Sequence, residues 1–77
     1  MRITLEMHGA LQRYNPGGQR RAVLEVRDGI SIDELLADLG VDMQALWNAA
    51  LDGALAEGTE TLSEGSHLIV FEPIAGG

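Results

Sequence analysis

The sequence contains neither cysteine nor lysine, and only three of its 77 residues are aromatic. Without cysteine, the chain has no disulfide framework and no thiolate metal ligand. Without lysine, it offers no ε-amine that an activated carboxyl group of the same molecule could acylate. Long apolar runs are missing as well: the longest, Leu68 to Phe71, is far shorter than the about 20 residues that a membrane-spanning helix needs. The sequence therefore predicts a protein with no disulfide and no contact with a membrane.

Positive charge is scarce. Five arginines stand against twelve acidic residues, which gives a formal net charge of −7. This balance argues against a surface that binds nucleic-acid phosphates, and it favours protein partners with basic grooves, although solubility alone would also account for it. The first residues enter a strand pattern without the apolar core of a signal peptide, so we expect a cytoplasmic protein.

The length of the chain limits its chemistry. A single domain of 77 residues buries only about 60% of its unfolded surface, which leaves no room for a catalytic cleft beside a core. The histidines His8 and His67 are solitary, with no acidic partner at metal-ligand spacing, and the serines are explained as cap and turn residues. We predict that the protein is not an enzyme and binds no metal or cofactor itself.

Two segments of the first third alternate between apolar and polar residues, as half-buried strands do. In residues 2–8 the apolar positions are Ile3, Leu5 and Met7, and residues 20–27 repeat the pattern. The turn signal of residues 15–18 lies between them, with a proline followed by two glycines. The pattern predicts an antiparallel hairpin with a long loop.

A helix over residues 32–39 is the best-marked element. Ser31 and Glu34 have the spacing of a capping box, in which each side chain bonds the other residue's backbone N–H. Gly40 follows the last apolar position, where helices commonly end on a glycine with positive φ.

Residues 42–54 give two conflicting signals. Apolar residues recur at helical spacing, yet Asp52-Gly53 is a strong two-residue hairpin signal. Local propensity favours the helix, and nothing local decides between them. Leu68 to Phe71, apolar on both faces, predicts a central strand.

The last residues carry no reactive side chain. Pro73 removes an N–H that further sheet pairing would need, and Gly76-Gly77 forms a thin, conformationally free ending suited to a narrow active site. A frayed terminus is the alternative reading of the same residues.

This order of elements resembles the ubiquitin-like β-grasp fold, and within it the small sulfur carriers, first the molybdopterin synthase small subunit and then the thiamine-biosynthesis sulfur carrier. The residues that carry the resemblance are Asp52-Gly53, Thr61-Leu62, Gly65, the strand Leu68 to Phe71, and Pro73-Ile74-Ala75-Gly76-Gly77. Two positions depart from the family pattern. Glu72 stands where a first proline is common, and Asp52 stands where asparagine is usual.

The resemblance implies an α+β fold in which a mixed sheet of four to five strands packs on one helix. It divides the chain into a β-grasp domain, residues 1–72, and a flexible, reactive tail, residues 73–77. It also favours a short strand over residues 46–51, where local propensity favours a helix.

For function, the resemblance implies that the Gly77 carboxylate is adenylated with ATP by a partner enzyme and converted to a thiocarboxylate by a sulfur donor. The sulfur would pass to an acceptor such as a molybdopterin synthase large subunit, with this chain as its small subunit. Pro73, Ile74, Ala75 and Gly76 would thread the tail into each partner, and Val23 and Phe71 are the candidates for docking. The alternatives are a carrier for thiamine, cysteine or tungsten-cofactor synthesis, a ubiquitin-like protein modifier, and a non-covalent β-grasp module with an inert tail.

Overall fold

A five-stranded mixed sheet packed on one helix makes up the fold, in a computed structural model that describes residues 1–42 and 45–73. In chain order, the elements are β1 (Arg2–Met7), 3₁₀ helices at Gly9–Tyr14 and Pro16–Gly18, β2 (Arg21–Glu25), α1 (Ile32–Asp38), β3 (Asn48–Leu51), β4 (Ala54–Ala56) and β5 (His67–Phe71). The strand order is β2-β1-β5-β3-β4, with β1 and β5 parallel and the other neighbours antiparallel. This confirms the predicted β-grasp architecture. Among the described residues, no helix has the length and apolar character needed to cross a bilayer.

The core lies between one face of the sheet and the helix. The central strands β1 and β5 supply its middle, and α1 covers it with the apolar stripe that its spacing predicts. The largest fully buried side chains that fill it are Ile3, Leu5, Met7, Ile32, Leu36, Leu68 and Val70. The prediction that residues 68–71 form a central strand is confirmed, because β5 has β1 on one side and β3 on the other.

The predicted capping box starts α1. The Ser31 hydroxyl accepts a hydrogen bond from the Glu34 N–H at 3.2 Å, and the Ser31 N–H donates to the Glu34 carboxylate at 3.0 Å. The helix ends at Asp38, one residue before the predicted end, and Gly40 follows with a φ of +89°. The cap and the closing glycine therefore set both ends, as the sequence indicates.

The helical spacing of residues 42–54 is misleading. Residues 48–56 form the hairpin β3–β4, in which Asp52 and Gly53 adopt φ values of +49° and +89°. The strand begins at Asn48 rather than at the expected position 46, and positions 43 and 44 lie outside the described residues. Pairing of β3 with β5 overrides the local helical propensity, since that edge of β5 would otherwise lack hydrogen-bond partners.

The buried side chain of Asn15 holds the long loop of the first hairpin in place by hydrogen bonds to backbone carbonyls. Only 2% of the residue is exposed, and its side-chain N–H₂ donates to the carbonyls of Leu5 and Arg20, each at 3.2 Å. The sequence predicts only a surface turn at this position. The asparagine instead links β1 to the residue before β2 across the loop, and the Arg20 carbonyl that it bonds also accepts from the Met7 N–H at 2.8 Å.

Candidate functional site

The end of β5 is where the predicted reactive segment leaves the domain. Phe71 is the last strand residue and is half-buried, and Glu72 and Pro73 after it are exposed. The structure thus places Pro73 beyond the sheet, as its missing N–H predicts. Ile74, Ala75, Gly76 and Gly77, the residues predicted to thread into partners and to be activated, lie outside the described residues.

The turn after β1 holds this exit point. The His8 N–H donates to the Val70 carbonyl at 3.0 Å, and the Ala10 N–H donates to the Glu72 carboxylate at 3.1 Å. Gly9 between them has a φ of +60°, and a Cβ added there would lie 2.9 Å from Glu72 Oε1. The positive φ favours glycine at this position, and a side chain there would displace the Glu72 carboxylate. Glu72, which stands where the family commonly has a proline, is thus a hydrogen-bond acceptor at the base of the tail.

One row of side chains crosses the outer face of the sheet, the face that points away from α1. Strand register places one residue of each strand in this row, in the order Arg21, Glu6, Ile69, Ala50 and Leu55. From β5 to the β4 edge the row is apolar, and Leu55 at its end is 82% exposed. Toward β2 the row is charged. The outer face is therefore divided into an apolar half and an ionic half.

The two predicted docking residues lie in different halves of this face. Phe71 lies opposite Asn48 on the apolar side, whereas Val23, 63% exposed, lies opposite Thr4 on the edge strand β2. Strand β1 separates them, and the register puts them roughly 15 Å apart. The structure does not bring Val23 and Phe71 together as one patch, and their docking role stays a prediction. No sequence pattern singled out Leu55, which lies in the apolar half.

The ionic half centres on Glu6, whose side chain is 11% exposed. Arg21 donates to Glu6 Oε1 through Nη2 at 2.8 Å and through Nε at 3.2 Å, and His8 Nε2 bonds Glu6 Oε2. His67 Nε2 lies 3.4 Å from Glu6 Oε1. The hydrogen bond from His8, then that from Arg21, lower the pKa of Glu6 from 4.5 to about 2 against the opposing effect of burial. Glu6 is therefore ionised at neutral pH, so the proton of the His8 ring bond lies on Nε2.

The prediction that His8 and His67 are solitary is wrong, because both approach the carboxylate of Glu6. Glu6 and His8 share a face because they are two residues apart in a strand, a signal that was present in the sequence. The approach of His67 was not readable, since it depends on the parallel pairing of β1 with β5. Within the described ranges, no three side chains are arranged to hold a metal ion.

A comparison with protein-family models matches residues 10–77 to the ThiS family. The chain belongs to the ThiS family. It is thus a ubiquitin-like β-grasp protein of the kind that comprises sulfur carriers and small modifiers. Comparison with curated proteins gives no match.

Solved structures share the fold at low sequence identity. Small archaeal modifier protein 1 from Haloferax volcanii matches at 16% identity over 95% of this chain and 98% of that one, with a TM-score of 0.75. The protein of the same name from Methanosarcina acetivorans matches at 16% identity over 99% and 96%, with a TM-score of 0.66. A chain of the complex of subunits 1 and 2 of the molybdopterin-converting factor from Helicobacter pylori matches at 18% identity over 100% of both chains, with a TM-score of 0.67.

Proposed function

We propose that this protein is a sulfur carrier whose Gly77 carboxylate is adenylated and then converted to a thiocarboxylate, which donates sulfur in cofactor synthesis, most directly that of molybdopterin. The observation that carries the proposal is the family match, which runs through the Gly-Gly ending to residue 77. The fold supports it, because the central strand β5 leads directly to that ending.

The chemistry requires activation because a carboxylate is a poor electrophile. Attack of the Gly77 carboxylate on the α-phosphorus of ATP, in a partner enzyme, would give an acyl-adenylate and release pyrophosphate. The terminal sulfur of a donor persulfide would then displace AMP to give an acyl disulfide. A thiol would cleave that disulfide, leaving the terminal thiocarboxylate and a disulfide between the thiol and the donor cysteine. This chain would contribute no acid, base or metal to any of these steps. Its contribution is the presentation of one carboxyl group at the end of a segment without bulky side chains.

The base of the tail suits this task. Two hydrogen bonds from the turn after β1 hold the chain up to Glu72. The His8 N–H donates to the Val70 carbonyl of β5, and the Ala10 N–H donates to the Glu72 carboxylate. From Glu72 to Gly77 there are six residues, which span roughly 20 Å when extended. A carrier built this way can keep its folded domain outside a partner while the terminal carboxylate reaches an internal site.

The partners follow from the same chemistry. The proposal needs an ATP-dependent adenylating enzyme, a sulfurtransferase or desulfurase as donor, and an acceptor. The Helicobacter pylori structure contains subunits 1 and 2 of a molybdopterin-converting factor in one complex, which supports an acceptor subunit of that kind for this chain. Protein modification is the second candidate, supported by the similarity to small archaeal modifier protein 1.

The test combines the protein with a cognate adenylating enzyme, ATP and a sulfur donor. Intact-mass spectrometry should detect one exchange of oxygen for sulfur, confined to the C-terminal peptide. Deletion of Gly77 should abolish the exchange, because the activated carboxylate would be misplaced. Leu55→Ala, at a remote residue that is 82% exposed, serves as the control and should be sulfurated normally. Sulfuration of the truncated protein would contradict the proposal.

The acceptor separates the two candidates. Transfer of the sulfur to a small-molecule precursor supports the carrier, and an amide bond between Gly77 and a lysine of another protein supports the modifier. The absence of lysine from this chain simplifies that experiment, because no lysine-linked chain of its own copies can form.

A further inference from the structure

The strand β2 forms one edge of the sheet, and its outward side has no partner among the described residues. The hydrogen bonds from Met7 N–H to Arg20 and from Val26 N–H to Met1 fix which residues of this antiparallel ladder face β1. By alternation, Ala22 and Leu24 bond inward, and Arg21, Val23 and Glu25 direct their N–H and C=O groups outward. This edge can therefore accept another strand.

An apolar cleft of ≈ 370 Å³ lies directly beside this edge, between β2 and α1. Its apolar walls are formed by Leu24, Val26, Ile30, Leu35 and Leu39. Val23 and Glu25 also border the cleft. Their side chains lie on the outer face of the sheet, so it is their backbone that borders the cleft. An added strand would thus find hydrogen-bond partners and an apolar pocket for every second side chain in the same place.

The exposed side chains of the edge have opposite charges at its two ends. Arg21 stands at one end and Glu25 at the other, with the exposed Val23 between them on the same face. Beyond Glu25, Arg27 and Asp38 line the cleft as an ion pair at 3.1 Å, and Asp28 is exposed next to the Met1 amine. Arg21 and Glu25 are paired with Glu6 and Arg2, but their side chains remain 64% and 68% exposed and can still meet an added strand. A strand running antiparallel to β2 would best carry a cationic residue opposite Glu25, an apolar residue opposite Val23 and an acidic residue opposite Arg21.

We propose that the β2 edge and its cleft bind an extended segment of a partner protein by strand addition. The segment alternates a cationic, an apolar and an acidic residue on the outer face with apolar residues that enter the cleft. The site does not depend on the proposed function of the tail. It lies on the far side of β1 from β5, so an added strand would leave Glu72 and Pro73 free.

The probe is the peptide acetyl-Val-Lys-Val-Ile-Val-Glu-amide, in which Lys, Ile and Glu align with Glu25, Val23 and Arg21. NMR hydrogen exchange on the full chain, with about 1 mM peptide to detect weak binding, gives the readout. We expect new protection of the Val23 and Glu25 amides and little change at Leu24, whose amide already bonds β1. This alternation is specific to strand addition, because binding of side chains alone would not produce it.

Two altered peptides test the two parts of the recognition. N-methylation of the central Ile removes the N–H that should bond the Val23 carbonyl, and should weaken binding at least roughly fivefold. Exchange of Lys and Glu places like charges opposite Glu25 and Arg21, and should weaken binding by a smaller factor that salt reduces. Equal binding of all three peptides would overturn the proposal.

Leu39→Gln tests the cleft, with Leu55→Gln at the opposite edge of the sheet as its control. Only the first should weaken binding, and thermal unfolding of both variants establishes that each is folded. The proposal fails if the peptide protects neither Val23 nor Glu25, or if its effects lie at Ile69 and Leu55. It also fails if both amides are protected before peptide is added. Protection that rises with protein concentration would then identify a second copy as the occupant. Protection that does not depend on concentration would identify the protein's own chain.

Discussion

Strand β1 buries residues on both of its faces, three by apolar packing on the inner face and Glu6 by ion pairing on the outer face. On the inner face, Ile3, Leu5 and Met7 are at most 1% exposed and contact only the apolar core. On the outer face, Glu6 is 9% exposed, because Arg21, His8 and His67 cover it. The same strand thus has two kinds of burial on alternate residues.

The two kinds of burial respond to conditions differently. Apolar burial depends on area and packing, and it requires no group to hold a particular charge. A buried carboxylate is stable only while its partners remain in place and while it stays ionised, because an unpaired buried charge is costly. We therefore expect the inner face to set how stable the domain is, and the outer face to set under which conditions that stability persists.

The largest expected effect is on the inner face. Leu5→Ala should lower the free energy of unfolding by about 3 kcal/mol, since Leu5 is 0% exposed and its loss leaves a cavity in the central strand. Denaturant unfolding at several pH values measures it, and the loss should be the same at each. Leu55→Ala, at a residue 82% exposed, is the control and should change stability little. A loss for Leu5→Ala that varied strongly with pH would mean that the two faces do not act separately.

The outer face should produce the next effect, and it depends on pH. The pKa of Glu6 is lowered to about 2, so its ionised form stabilises the fold above pH 4.5, and that stabilisation is lost as the pH falls from 4.5 toward 2. Glu6→Gln should cost about 2 kcal/mol at pH 7, after allowance for the exposure of Arg21. The difference between wild type and variant should shrink over that acidic range.

Parallel chemical denaturation of the two proteins across pH 2–7 measures this difference directly. Glu34 and Glu60 also have lowered pKa values, the first through hydrogen bonds with Ser31 and the second through backbone N–H groups of residues 57 and 58. Both proteins retain them, so their contribution cancels. A difference that stayed constant down to pH 2 would show that Glu6 stabilises the fold by packing and not by its charge.

The inner face was predictable from the sequence, whereas the outer cluster was predictable only in the spacing of Glu6 and His8. Alternation alone identifies Ile3, Leu5 and Met7, and local capping residues identify both ends of α1, because these signals lie within a few residues of each other. The hairpin β3–β4 and the approach of His67 to Glu6 depend on which strands pair, which no local window contains. For the same reason, the sequence indicated Val23 and Phe71 as docking candidates but did not reveal that β1 separates them.

The smallest predicted effect isolates the ion pair itself. Arg21→Met should cost about 0.5–1 kcal/mol, because Arg21 is largely exposed while its partner Glu6 is not. The control is Arg2→Met, which removes the pair of Arg2 with Glu25 at 3.1 Å, where both side chains are 68% exposed. That pair is hydrated on both sides, so its loss should be barely measurable.

A double-mutant cycle of Arg21→Met with Glu6→Gln separates pairing from packing. If ion pairing stabilises the outer face, the coupling energy between Arg21 and Glu6 should be favourable and larger than that of the corresponding Arg2 and Glu25 cycle. It should be only partly screened by 1 M salt, because Glu6 is shielded from solvent. Equal couplings in the two cycles would mean that burial of Glu6 adds nothing to its pairing. The difference between the two faces of β1 would then be one of composition only, and the acid sensitivity of the domain would have to come from its exposed carboxylates.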